Sequence, residues 1–347
     1  MFPGVSTAEN SPRKRRPTII DVAAAAGVSK SLVSLVLRGA TTVSESKRQS
    51  VLSAAARLGY RANAVARSLV QRHSHLIGVL LPDLHDVFLA DTMEGVQEAA
   101  DAHDYRIIIS IAGRGAAAEQ RALDTLLELR IDGLVVANAA VPISTIKSLN
   151  DELPVVLVGR HVGSRTVDRV SSDDSSGASL AVVHLAGLGH RRIAHIDGGS
   201  NAGALERRKG YERAMQTSGL GRFLQIVAGS STHESGQRAV NSIFRGRRQP
   251  TAIFAAHDFA ALGAMHALCR LGVAVPEQVS IVGFENVAYS ACSATSLTTI
   301  EQSRREIGVM SVMLLLERLT GRRITARHAV LPARLIERSS TAPRVAQ

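Results

Sequence analysis

Two sets of side chains in this 347-residue sequence have the types and spacing to do chemistry. The first is a series of polar residues placed just after apolar runs: Asp86 and Phe88 in DLHDVF, then Arg160, Asp173, Asn201, Arg207, Asp258 and Glu285. Carboxylates with arginine and amide groups suit hydrogen bonding to the hydroxyls of a small polar molecule. The same residues have plainer uses. Asp173 and Asp258 can cap the helices that begin there, Arg160 can pair with a carboxylate, and Phe88 can be core instead of a stacking platform. The second set is Lys30, Ser31, Ser34, Leu35 and Arg38, which share the outer face of one short helix and suit the phosphates and base edges of a duplex.

The helix that carries this second set belongs to TIIDVAAAAGVSKSLVSLVLR, residues 18–38. Ile19, Val22 and Ala23 share an apolar face, Gly27 interrupts it, and Val28, Leu32, Val33 and Val36 resume it. Thr18 and Ser29 are placed to cap two short helices, with Asp21 in the first turn of the first and Gly27 free to take positive φ between them. That is a helix-turn-helix. A third amphipathic helix spans 44–58, with Val51, Leu52, Ala55 and Leu58 on its apolar side, and Asn63 can cap a short helix through Val70.

Residues 76–159 alternate apolar strands (LIGVLLP, RIIIS, GLVVA, PVVLVG) with amphipathic helices, and a second set follows in RVSSD, RIAHIDG, FLQIV, TAIFAA and VSIVGF. Apolar runs joined by helices predict parallel sheets with right-handed crossovers. Two such series predict an α/β protein with two doubly wound, Rossmann-like lobes and a ligand cleft at the carboxyl ends of the strands.

Charge divides along the same line. Residues 1–75 hold 12 Lys/Arg against 3 Asp/Glu, net +9, whereas residues 76–347 hold 29 against 27, net +2. A basic module beside a near-neutral one fits a phosphate-binding domain attached to a sensor. Cys269 and Cys292 are too few for a disulfide framework. His184, His190 and His195 lack metal-ligand spacing, and no phosphate-binding glycine loop or nucleophile elbow accompanies the acids. We therefore expect no catalytic residue, metal or cofactor. No run of eighteen apolar residues and no secretory leader is present, so a cytoplasmic protein away from the membrane is expected.

In the order and spacing of DVAAAAGVSKSLVSLVL, VSESKRQSVLSAAARLGY and NAVARSLV, the sequence resembles the LacI/GalR family of transcriptional repressors. ALERRKGYERAM and the stretch from HDFAALGAM to SLTTI extend the resemblance nearly to the C-terminus. It implies a basic arm at 1–17, a helix-turn-helix domain at 18–62 and a hinge helix with linker at 63–75. Two lobes of periplasmic-binding-protein type are implied at 76–160 with 292–320 and at 161–291 with 321–338, followed by a tail at 339–347.

By the same resemblance Thr18, Ser29, Lys47 and Arg48 lie on the phosphate backbone, with Asn63, Ala66 and Leu69 belonging to the minor-groove hinge. Arg207 corresponds to the family's ligand-binding arginine and Asp258 to its ligand-binding acid. Leu35, Ala62 and Glu285 replace the family's usual arginine, proline and aspartate. A departure from the usual half-site is expected at the base that Leu35 meets. The partners implied are double-stranded operator DNA, a sugar-like effector and a second copy of the chain. A homodimer is favoured because the C-terminus carries no apolar heptad repeat. The competing reading, a solute-binding protein of the same two-lobed fold, calls for a signal peptide and no basic amino-terminal domain.

Overall fold

The computed structural model describes residues 17–37, 40, 42–60, 73–82, 87–113, 115–138, 141–159, 165–200, 202–246, 249–292 and 296–344. The arm at 1–16, Arg38, the whole hinge stretch with Arg61, Ala62, Asn63, Ala66 and Leu69, and Asp86, Arg160 and Asn201 lie outside the described residues. The chain divides into two compact units, Met1–Ser74 and His75–Gln347.

In the first unit α1 spans Ile19–Ala26, α2 Lys30–Leu37 and α3 Glu45–Leu58. Thr18 and Asp21 form a reciprocal capping box on α1. Gly27 takes φ 65°, and the Ser29 hydroxyl accepts from the Leu32 amide at 3.2 Å. The chain bends by 104° between α1 and α2, the angle of a helix-turn-helix. Val22, Val33, Val36, Val43 and Val51 form the centre of a small core with Ala54 and Ala55. Leu52 and Leu58, expected on the buried face of α3, are 44% and 36% exposed. Val51 anchors the helix, and its i+3 and i+4 neighbours are the two alanines, which turns Leu52 about 100° away.

The second unit contains β1 Leu76–Leu81, α4 Val87–Asp101, β2 Arg106–Ile111, α5 Ala116–Glu128, β3 Gly133–Ala137, α6 Ile143–Glu152, β4 Val155–Val158 and β5 Asp168–Ser172. It continues with α7 Asp174–Gly187, β6 Ile193–Ile196, α8 Ala204–Thr217, β7 Gln225–Val227, α9 His233–Ile243, β8 Ala252–Ala255, α10 Asp258–Arg270 and β9 Ser280–Glu285. β10 Thr298–Gln302, α11 Arg304–Leu319, β11 His328–Leu331 and β12 Ala333–Ile336 complete it. Two six-stranded sheets run β2-β1-β3-β4-β5-β11 and β7-β6-β8-β9-β10-β12. Every pairing is parallel except β10 with β12. Apolar cores cover both faces of each sheet.

The lobes are more interleaved than the order of elements suggests. RVSSD, expected to open the second lobe, is β5 and pairs with β4 and β11 in the first sheet. β10, expected with the first lobe, pairs with β9 in the second. The last strand segment splits at Pro332 between the two sheets. Alternation of strand and helix fixes local type, but a strand's sheet is set by which open edge it can reach. The chain therefore crosses between lobes after Ser172, after Gln302 and at Pro332. The tail also differs from expectation: Ser340 is fully buried, donating to the Ile281 carbonyl and accepting from the Thr298 amide.

α4 and α11 pack against each other through glycines. A Cβ on Gly95 would stand 2.0 Å from the Arg305 carbonyl oxygen, and one on Gly308 at the same distance from that of Thr92. Both obstacles are backbone, so the helices must part to admit a methyl. Gly95→Ala is expected to destabilise the second unit by about 1–3 kcal/mol, read as a lower urea midpoint at unchanged slope. An unchanged midpoint would show that the pair separates at no cost.

Candidate functional site

Surface-facing residues of α2 and the start of α3 form the first candidate site. Lys30 and Ser31 are exposed, and Ser34 is partly so. Leu35 is half-buried against the core of the three helices, so only part of its side chain is left for a base. Lys47 is exposed in the first turn of α3. Arg48 donates to the Ala40 carbonyl at 2.5 Å and lies 3.4 Å from Glu45, which holds its guanidinium close to the α2–α3 connection. Thr18 and Ser29 spend their hydroxyls on caps.

The second site forms where strands of the second sheet end. Arg207, in the first turn of α8, is 3% exposed. Its Nε donates to Asp174 at 3.1 Å, its Nη1 to the Ala256 carbonyl at 2.6 Å, and its guanidinium lies 4.0 Å above the Phe284 ring. Glu285, at the carboxyl end of β9, stands 3.7 Å from the same Nη1 and accepts from His257 Nδ1 at 2.7 Å. Nδ1–H donates to Glu285, which leaves Nε2 as the ring's other polar atom. That Nε2 is buried without a hydrogen-bond partner among the described residues, as is Gln302 Oε1. Gln302 Nε2 in turn donates to Asp174 at 3.1 Å.

Two guanidinium groups in this cluster meet three carboxylates. Arg207 and Arg304 face Asp174, Glu285 and Asp91. Burial by itself raises the Glu285 carboxyl, but the His257 imidazole with the two guanidinium groups holds it below the usual carboxylate range. Among the described residues of the cluster, both guanidinium groups are paired with carboxylates. Of the two unfilled atoms, Gln302 Oε1 is an acceptor suited to a hydroxyl hydrogen.

Sequence position proved a partial guide to this site. Arg207 and Glu285 come together as expected. Asp173 caps α7 by accepting from the Ser176 amide at 2.9 Å. Asp258 does not reach the cleft: it is fully buried, with its two oxygens accepting from the Thr299 hydroxyl at 2.5 Å and the Val287 amide at 2.9 Å. It buckles the loop after β9 to the start of β10, so the ligand role expected for it is corrected. Phe88 is likewise core, 8% exposed among Val79, Leu89 and Val96, and not a stacking platform. Asp174, His257 and Gln302 were missed. Asp174 was overshadowed by Asp173, and His257 by the aspartate that follows it.

His184, His190 and His195 of the second lobe serve packing. His195 lies between the Tyr211 and Phe254 rings with Nδ1 on the Phe254 carbonyl, and burial pushes it down to about 3. His190 bridges Thr251 and Ser280, and His184 meets Thr341.

Comparison with known proteins adds the following. The family described as periplasmic binding proteins and sugar binding domain of LacI family matches residues 74–339, and that described as bacterial regulatory proteins, lacI family, matches 18–63. Catabolite control protein A of Priestia megaterium is 34% identical over 328 residues, 93% of this chain and 99% of that protein. Among solved structures, the lac repressor dimer bound to operator and the anti-inducer ONPF is similar with a TM-score of 0.87 at 29% identity, covering 94% of this chain and 100% of that one. A LacI family regulator from Enterococcus faecium with bound ribose gives 0.69 at 26% identity over 78% of this chain and all of the other.

The buried carboxyl of Asp258 generates a pH prediction. Desolvation, helped by the charge of Glu285, pushes it up to about 7 against the Thr299 hydrogen bond. The folded state therefore holds the proton more tightly than an unfolded aspartate at 3.8, and the resulting stability is complete below that value and lost as pH rises to about 7. The stability of Asp258→Asn relative to wild type should rise by up to about 1.4 kcal/mol per pH unit across this window and level off above it. Urea unfolding at several pH values measures this; a constant difference would place Asp258 outside the titrating groups.

Proposed function

This chain belongs to the LacI family of bacterial regulatory proteins and is a DNA-binding transcriptional regulator; from that premise we propose that it is a homodimeric repressor whose hold on a palindromic operator is set by a neutral, sugar-like effector in the interlobe cleft. α2 reads the major groove through Lys30, Ser31 and Ser34, with Lys47 and Arg48 on phosphates. Arg207, Asp174, His257 and Glu285 receive the effector. The observation that carries the effector reading is the buried polar cluster at Arg207, whose described guanidinium groups are already paired with carboxylates, with unfilled polar atoms on His257 and Gln302. A sugar-phosphate or dicarboxylate would need an unspent cation, and a purine would need stacking rings. Phe88, the one aromatic residue proposed for that purpose, is in the core.

Ile109 and Ile111 support the dimer. They share one face of β2, an edge strand of the first sheet, and are 42% and 50% exposed. A second copy covering this face would bury them. The chemistry proposed is binding alone, without turnover, and the protein acts in the cytoplasm where its operator is. Ligand binding shifts lobe orientation within the dimer and so the spacing of the two DNA-reading units.

Calorimetric titration with neutral pentoses, hexoses and disaccharides, alongside sugar-phosphates and purine nucleosides, tests the effector class. One neutral sugar should bind and change operator affinity, and Arg207→Lys should weaken that sugar by about 10- to 100-fold. Binding of a phosphorylated sugar or a purine in place of every neutral sugar would overturn the assignment.

A further inference from the structure

We propose that Arg304 is a clasp joining the two lobes, and that it works by holding the backbone of Glu285, the residue whose side chain faces the effector. Arg304 opens α11, which packs on α4 in the first lobe, immediately after the Gln302 crossover. Its Nε donates to Asp91 of α4 at 2.7 Å. Its Nη1 donates to the Glu285 carbonyl and its Nη2 to the Asn286 carbonyl at 3.3 Å, both in the second lobe. Asp91 aims the fork and the two carbonyls receive it. Arg304 is 8% exposed, so opening the lobes would strip its guanidinium of the two second-lobe carbonyls while Asp91 stays beside it.

Backbone strain at the receiving turn is an independent observation. Glu285 has φ 119° and Asn286 φ 53°, consecutive non-glycine residues in the left-handed region. Such a turn persists only where its surroundings over-determine it. Asn286 Nδ2 donates to Glu301 at 2.9 Å, its Oδ1 accepts from Arg338 at 2.7 Å, and the next amide, Val287, donates to Asp258. Those bonds all lie within the second lobe. Arg304 alone among these partners comes from the first, and it grips the turn through the carbonyls. One residue thus has its carboxylate on Arg207 and His257 and its carbonyl on the clasp. A ligand that moves the Glu285 side chain necessarily loads the turn, and through Arg304 it loads α4. The clasp itself stands on the lobe geometry; its link to a ligand rests on the effector site proposed above.

The test uses the full chain with Cys269→Ser and Cys292→Ser and spin labels on exposed positions Glu128 of the first lobe and Arg238 of the second. Without any ligand, and with the labelled chain diluted into excess unlabelled chain so that each dimer carries one labelled protomer, wild type should give a single narrow interlobe distance distribution. Arg304→Ala should add a second, longer population and change ligand-free operator affinity by about tenfold. Asp91→Asn should act in the same direction, which keeps the test alive if the alanine variant fails to fold. Arg305→Ala, which removes the adjacent exposed pair with Glu98, should match wild type on both readouts. Unchanged distributions in Arg304→Ala and Asp91→Asn would overturn the clasp. If wild type binds no operator, the regulator reading fails while the distance measurement still decides the clasp.

Discussion

Burying a guanidinium costs several kcal/mol unless its donors meet acceptors, and Arg207 is where the sensor unit satisfies that requirement. Its partners come from three places in the chain: Asp174 at the start of α7, the Ala256 carbonyl after β8, and the end of β9, with the Glu285 carboxylate beside it and the Phe284 ring beneath. None of these is near it in sequence. The second lobe must therefore be fully wound before the charge is compensated, and once wound, the strand ends around the cleft are fixed relative to one another. A polar ligand meets a preorganised set of groups, and the cost of ordering them has already been met on folding.

The same requirement explains how a small-molecule site can move large elements. The guanidinium groups at the cleft tie separate elements together: Arg207 with Asp174 joins α8 to α7, and Arg304 joins Asp91 of α4 to the Glu285 and Asn286 carbonyls across the seam of the lobes. Three crossovers tie the lobes covalently, and polar contacts at the seam hold them in this orientation. A ligand that interacts differently with two orientations shifts their populations by that difference.

The helix-turn-helix pair α1 and α2 was legible in the sequence because its determinants are local. Thr18, Asp21, Gly27 and Ser29 act over three residues or fewer, and the 104° bend follows from them. The strands of both lobes were equally plain as apolar runs. What failed was long-range. Nothing in RVSSD states which of two sheets has an open edge beside it, and a polar tail such as RSSTAPR reads as solvent-exposed until a buried hydrogen bond for Ser340 is known. At the cleft, the rule that ligand groups follow strands located the right turns but not the direction of side chains. Asp258 points into the loop that it supports, whereas His257, one residue earlier, points toward Glu285. Leu52 against Ala54 shows the same limit on a helix, where the bulkier residue lost to the one that permits close approach.

Selection of bound sequences from a random duplex library, followed by titration of the selected site at several salt concentrations, tests the central claim most directly. The account predicts a two-fold symmetric motif, with a base preference departing from the family's usual half-site where Leu35 lies, and an affinity that falls by about 0.9 in log K per log unit of salt for each phosphate neutralised. Failure to enrich any sequence, with and without the sugar that binds, together with salt-insensitive affinity, would contradict it.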